Sequence, residues 1–326
     1  MQCPYPQVND INIWVRTMKK LALVVGFPLV LFLGYAGLPM LFPPASAPRV
    51  AWEGPPLAEM TFEEVQIESG PVPLAALVFA PEKPRAVITI VHGSGGSYRD
   101  HGWYTRVTEH LNDRSIAVVI PDKRGSGSSS GDWRNASIED LAQDAAAVHH
   151  YAAARWPDLP HGVLGTSQGG WVAAVLAAQT PQLDFAIAQS AATVPARDQL
   201  RFEEYNTLRA MGMPGPAAAL VSPVSAWSIR AFRQKETWDA IGAFDALTYW
   251  RQTTQPVLVV YGSLDEQDNV PVARSVQRLT DLEQQNIRVE VLDGLGHSMN
   301  TPGSGTLSTE FLTLVSDLAL AQTDRN

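Results

Sequence analysis

A chain of 326 residues, 45% apolar and 17% charged, is long enough to bury one large core or two smaller ones, and its composition excludes disorder and collagen-like repetition. A formal net charge of −9, with no basic block beyond the N-terminus, argues against a nucleic-acid partner. The single cysteine, Cys3, excludes an internal disulfide framework and a thiolate metal cluster.

In chain order, the first feature is residues 21–42, an uncharged apolar run directly after Arg16, Lys19 and Lys20. Crossing a bilayer core takes about 20 such residues. Basic residues precede the run, whereas Glu53, Glu59, Glu63 and Glu64 follow it. The bias predicts a cytoplasmic segment 1–20, a single-pass membrane anchor over 21–42 and a folded body on the far, periplasmic side. The alternative is a cleaved signal peptide that starts at Met18 and is cut after Ala45-Ser46-Ala47, giving a secreted protein. The anchor is preferred, because the run exceeds the 7 to 15 residues usual for a signal core and Pro48 would follow the cut.

Residues 43–59 read as a proline-rich linker. Two short strands are predicted at 65–68 and 74–79 around the Gly70-Pro71 turn, an antiparallel entry hairpin. The β-branched run 86–91 has the pattern of a central parallel strand, and it ends in His92-Gly93-Ser94-Gly95-Gly96. Helices are then predicted over 103–111, 137–151, 171–179, 272–282 and 307–320. They alternate with strands at 116–120, 162–164, 185–188, 256–261 and 288–292. Such alternation predicts an α/β fold, a mostly parallel sheet with helices on both faces, over residues 60–194 and 252–322. Residues 195–251 break the rhythm. They are helical in pattern and rich in aromatic residues, and they predict a helical cap inserted between two core strands.

The stretch Gly165-Thr166-Ser167-Gln168-Gly169 lies between an apolar strand and a strong helix former, the setting in which a tight turn projects a serine hydroxyl above a sheet. A serine hydroxyl needs a base to become a nucleophile, and the base needs a third group to orient it. His297, in a loop just after the last apolar strand, is the best placed base. The other histidines fall in helical patterns, before a strand or in polar loops, and His92 reads as a brace for its own loop. Asp265 follows the strand ending in Val259-Val260-Tyr261 and is the candidate orienting carboxylate, with Asp268 three residues on as the alternative. Backbone N–H groups of Gln168 and of Ser94 or Gly95 are the candidate oxyanion donors.

The order Ser167, Asp265, His297 with an upstream His-Gly loop resembles the α/β-hydrolase superfamily over about residues 60–322. Residues 122–129, Asp122-Lys123-Arg124-Gly125-Ser126-Gly127-Ser128-Ser129, resemble a loop that is mostly structural in that superfamily, where the Asp and Arg hold it in shape. The resemblance implies an eight-stranded sheet, a serine nucleophile, no cofactor or metal, and hydrolysis of an ester, thioester or amide. The longer spacing from Asp265 to Val270-Pro271 departs from the family pattern and keeps Asp268 in contention. The expected activity is therefore that of a serine esterase acting on a small-molecule or lipid-like acyl substrate. A peptidase-like amidase, an acyltransferase and a non-catalytic binding protein are the alternatives.

Overall fold

The computed structural model describes residues 51–97 and 99–323, together with residue 34. Segments 1–20 and 43–50 and the apolar run 21–42, residue 34 apart, lie outside the described residues, as do the membrane anchor and the signal cleavage site read there. Among the described residues no helix is long and apolar enough to cross a membrane.

Strands β1 (Glu63–Ser69) and β2 (Val72–Phe79) form the entry hairpin, which turns at Gly70 with φ 55°. Then come β3 (Ala86–Val91), α1 (Gly102–Asp113), β4 (Ile116–Pro121), α2 (Ile138–Arg155), β5 (His161–Thr166), α3 (Gln168–Gln179) and β6 (Phe185–Gln189). The chain runs on through α4 (Ala196–Ala210), α5 (Gly215–Ser228), a π-helical turn (Ile229–Arg233), α6 (Lys235–Ile241) and α7 (Leu247–Trp250). It closes with β7 (Val257–Gly262), α8 (Val272–Thr280), β8 (Ile287–Leu292) and α9 (Thr309–Ala321). The eight strands make one sheet in the order β1-β2-β4-β3-β5-β6-β7-β8. Only β2 runs antiparallel to its neighbours; the pairings from β4 to β8 are parallel.

Strand alternation divides the core between the two faces. On one face Val163 of β5 packs with Val172 and Val175 of α3 and Leu141 of α2. On the other face Ile88 and Ile90 of β3 and Leu164 of β5 pack with Val107 and Leu111 of α1 and Phe311 and Val315 of α9. Side chains of a strand alternate between faces, so a continuous apolar run is stable only when both faces are covered. The predicted elements match the observed ones apart from their ends. Most strands run one or two residues further because ladder hydrogen bonds continue past the last apolar residue, as at Thr166 and Gln189.

Compactness divides residues 51–323 into two units, Glu204–Ser225 and the remainder. The first has its own small core of Leu208, Met213, Ala217 and Ala218. The rest of the 195–251 insertion belongs with the sheet: Phe244 lies 5.5 Å from Trp171 of α3, and Trp250 is fully buried in the same core.

Candidate active site

Ser167 stands between β5 and α3 with φ 51° and ψ −118°, a left-handed conformation that costs a non-glycine residue on the order of 1–3 kcal/mol. The turn is held by Ser167 N–H donating to Gln189 O at 2.7 Å and Gly170 N–H donating to Ser167 O at 2.9 Å. Helix and strand can close on it only because Gly165 and Gly169 flank it. A Cβ on Gly165 would run into the Gly169 backbone, and one on Gly169 into Val91 O. The serine is half-buried at the carboxyl end of β5, and Gln168 opens α3 directly after it. The first N–H groups of a helix have no partner within it, which leaves the Gln168 N–H available to an acceptor beside the serine.

Asp265 and His297 come from loops 32 residues apart and meet side by side. Asp265 sits in the short turn Ser263–Gln267 after β7, fully buried, and its Oδ2 lies 2.8 Å from His297 Nδ1. Its other oxygen accepts from Asn269 N–H at 3.2 Å. An ionised carboxylate only accepts, so the proton of this bond resides on Nδ1, and the Nε2 lone pair is left free to act as a base.

The His297 loop is anchored from several directions. The His297 carbonyl accepts from Gln189 Nε2 and from Ser190 Oγ, the latter at 2.8 Å. Leu264 N–H donates to Leu295 O at 2.9 Å, and Trp103 Nε1 of α1 donates to Ser298 O at 2.9 Å. Gln189 therefore brackets the site: its main-chain carbonyl holds the Ser167 N–H, and its side-chain amide holds the His297 carbonyl. Among the described residues no hydrogen bond joins the Ser167 hydroxyl to the His297 ring. Catalytic hydrogen bonds of unliganded enzymes are often long and tighten on substrate binding.

Burial by itself would push the His297 pKa down. The Asp265 hydrogen bond and charge, followed by the smaller contributions of the Asp268 and Glu203 charges, outweigh it and hold the imidazole above its ordinary value. Asp268 lies close enough for its charge and that of His297 to act on each other, and burial pushes its own carboxyl up. Of the two candidate carboxylates, Asp265 is the one bonded to the ring.

The loop after β3 carries the remaining candidates. Ser94 is exposed and Gly95 half-exposed, with φ 84° at the glycine. His92 is buried, and its Nε2 donates to Pro121 O at 2.9 Å, which ties this loop to the end of β4. Burial, then the nearby Lys123 charge, lowers its pKa to about 3, so it is neutral across the physiological range. In the 122–129 loop, the Asp122 carboxylate accepts from Ser128 N–H at 2.9 Å and pairs with Arg99, while Arg124 pairs with Asp144 at 2.6 Å.

Gln189 and Ser190 are site residues that the sequence reading passed over. Their only signal is a polar pair closing the apolar run Phe185-Ala186-Ile187-Ala188 at the end of a central strand. Among the described residues no group of three or more His, Cys, Asp or Glu side chains is placed to hold a metal ion.

Residues 82–237 match the Hydrolase_4 family model, described as serine aminopeptidase, S33. A stretch of 128 residues, 38% of the chain, is 37% identical to a putative phosphoribosyl transferase of Mycobacterium tuberculosis, of whose length it spans only 28%. A monoacylglycerol lipase of Mycolicibacterium smegmatis is 27% identical over 246 residues, 68% of this chain and 85% of the lipase. Among solved structures, an esterase of Pyrococcus furiosus superposes with a TM-score of 0.61 at 18% identity, covering 85% of this chain and 97% of the esterase.

Proposed function

The chain belongs to the α/β-hydrolase superfamily, and from that premise we propose that it is a serine hydrolase that cleaves a carboxylic ester through an acyl-enzyme. The observation that carries this reading is the bracket at Gln189, which ties the strained Ser167 turn and the Asp265–His297 pair to one residue. In the proposed reaction His297 Nε2 takes the Ser167 hydroxyl proton as the oxygen attacks the ester carbonyl, and Asp265 stabilises the imidazolium that forms. The carbonyl oxygen gathers negative charge against the N–H groups of Gln168 and of Ser94 or Gly95. His297 then protonates the departing alcohol. A water deprotonated by the same ring attacks the acyl-enzyme, releasing the acid and restoring the serine.

A lipid-like acyl group is the substrate class favoured. The likeness to a monoacylglycerol lipase supports it, as does the apolar run 21–42, which would bring the site to a membrane. Amide cleavage next to a free amino terminus is the second reading. The matching family model is described as a serine aminopeptidase, and the negative charges of Asp268 and Glu203 that reach His297 would suit a substrate ammonium. Acyl transfer to an alcohol would use the same residues.

Fluorophosphonate labelling, followed by rates on p-nitrophenyl esters of two to sixteen acyl carbons and on aminoacyl-p-nitroanilides, tests the proposal. Ser167→Ala is expected to lose both the label and essentially all ester hydrolysis while keeping its circular dichroism spectrum. A variant that still turned over ester at the wild-type rate would place the nucleophile elsewhere. Faster turnover of anilides than of esters would favour the aminopeptidase reading, and product partition to added alcohol would favour transfer.

A further inference from the structure

Lys123 is buried, 8% exposed, and among the described residues no carboxylate lies within ion-pair distance of it. Its Nζ donates to Gly93 O and, at 3.2 Å, to Gln168 Oε1. Its main chain is pinned as well: Lys123 N–H donates to Ser97 Oγ at 3.1 Å, and Lys123 O accepts from Ser126 N–H at 2.9 Å. One ammonium thus joins the loop after β3 to the first residue of α3, the two segments that carry the oxyanion donors proposed above. Gly93 lies directly against the nucleophile, since a Cβ placed on it would be 3.4 Å from Ser167 Cβ.

We propose that Lys123 is a positioning residue for the oxyanion site, its contact with Gly93 O setting the direction of the Ser94 N–H and its contact with Gln168 Oε1 holding that loop against the start of α3. The inference rests on the serine-hydrolase reading. The Gly93–Ser94 peptide is trans, so its C=O and N–H point opposite ways, and a cation that fixes the carbonyl on one side turns the Ser94 N–H to the other. The cation also polarises that peptide, which makes its N–H a stronger donor to a developing oxyanion. A neutral amide would serve as a plain tether between two neutral acceptors. A cation kept out of water without a counter-ion costs folding free energy, so burial pushes the Lys123 ammonium down to about 7: the amine keeps its hydrogen bonds in either state, and the added polarisation is full only below that pH.

The test measures kcat, KM, thermal midpoint and the inhibition constant of a trifluoromethyl ketone of matching acyl length for the full chain and its variants. The ketone adds to the serine as a tetrahedral oxyanion and so reports the oxyanion site separately from substrate binding. Lys123→Met is expected to lose about 10- to 100-fold in kcat, somewhat less than removal of a donor itself, with KM within about threefold. Ketone affinity should fall by the same factor, and Lys123→Arg should restore most of both. Gln168→Ala keeps every backbone N–H and removes one contact of the ammonium. It is expected to lose about 3- to 10-fold in kcat, and less than that when Lys123 is already methionine.

A folded Lys123→Met with unchanged kcat and ketone affinity, or with a loss confined to the thermal midpoint, overturns the proposal. If Lys123→Met does not fold, Gln168→Ala decides: unchanged kcat and ketone affinity overturn it. Ser167→Ala separates the two levels. Activity surviving that change brings down the serine reading and this proposal together, whereas activity lost there and retained in Lys123→Met brings down this proposal alone.

Discussion

At the scale of single residues, the proposed reaction depends on His297 being neutral when it takes the Ser167 proton and on Asp265 fixing which nitrogen carries its proton. Because the folded pKa of His297 is raised, the acidic limb of kcat/KM against pH should lie above the ordinary histidine value of about 6.5, with activity rising as pH rises through it. Asp265→Asn removes both the charge and the fixed acceptor. It should move that limb downward and lower kcat by about 10³- to 10⁴-fold. Asp268→Asn should lower kcat by less than about tenfold, since the hydrogen bond from the His297 ring to Asp265 remains. A pH profile of the three proteins on one p-nitrophenyl ester checks both expectations, and a larger loss in Asp268→Asn would exchange the two roles.

At the scale of elements, the tight turn at Ser167 and the cap of α2 make separable predictions. Gly169→Ala would force a methyl group into the β3 backbone at Val91. It should destabilise the fold by about 3 kcal/mol in urea unfolding and reduce activity, because strand and helix must part at the serine. Ser137→Ala affects structure alone. Ser137 Oγ accepts from Asp140 N–H at 3.0 Å, and the Asp140 carboxylate accepts from Ser137 N–H at 2.9 Å, a reciprocal cap on α2. Its loss should cost about 1 kcal/mol in the same experiment and leave kcat unchanged.

At the scale of the whole molecule, buried histidines tie stability to pH. His92 and His149 are buried, and burial, ahead of neighbouring positive charge, lowers their pKa values to about 3 and about 4. The unfolded chain binds protons on both at about pH 6.5, before the folded chain does. Their contribution is therefore full above about 6.5 and lost as pH falls toward their folded values, at about 1.4 kcal/mol per unit and per group. His297 has the opposite sign: its raised value adds stability below about 6.5 that is lost as pH rises through the folded value. Urea unfolding between pH 7 and pH 4 should show falling stability. His149→Gln should flatten that slope by about 1.4 kcal/mol per unit relative to wild type.

By itself the amino-acid sequence determined the succession of strands and helices, because apolar periodicity is local and burial on both faces demands unbroken apolar runs such as 86–91. It also pointed to Ser167, Asp265 and His297 as candidates, since each follows a recognisable strand. Only the tertiary structure decided that Asp265 rather than Asp268 bonds the imidazole, because one turn of backbone separates the two and its conformation depends on the packing around it. It alone disclosed the Gln189 bracket and the Lys123 clamp. An ordinary polar residue at a strand end and a lysine in a glycine-rich loop look solvated in sequence, and their meaning lies in contacts with residues 22 to 108 positions away.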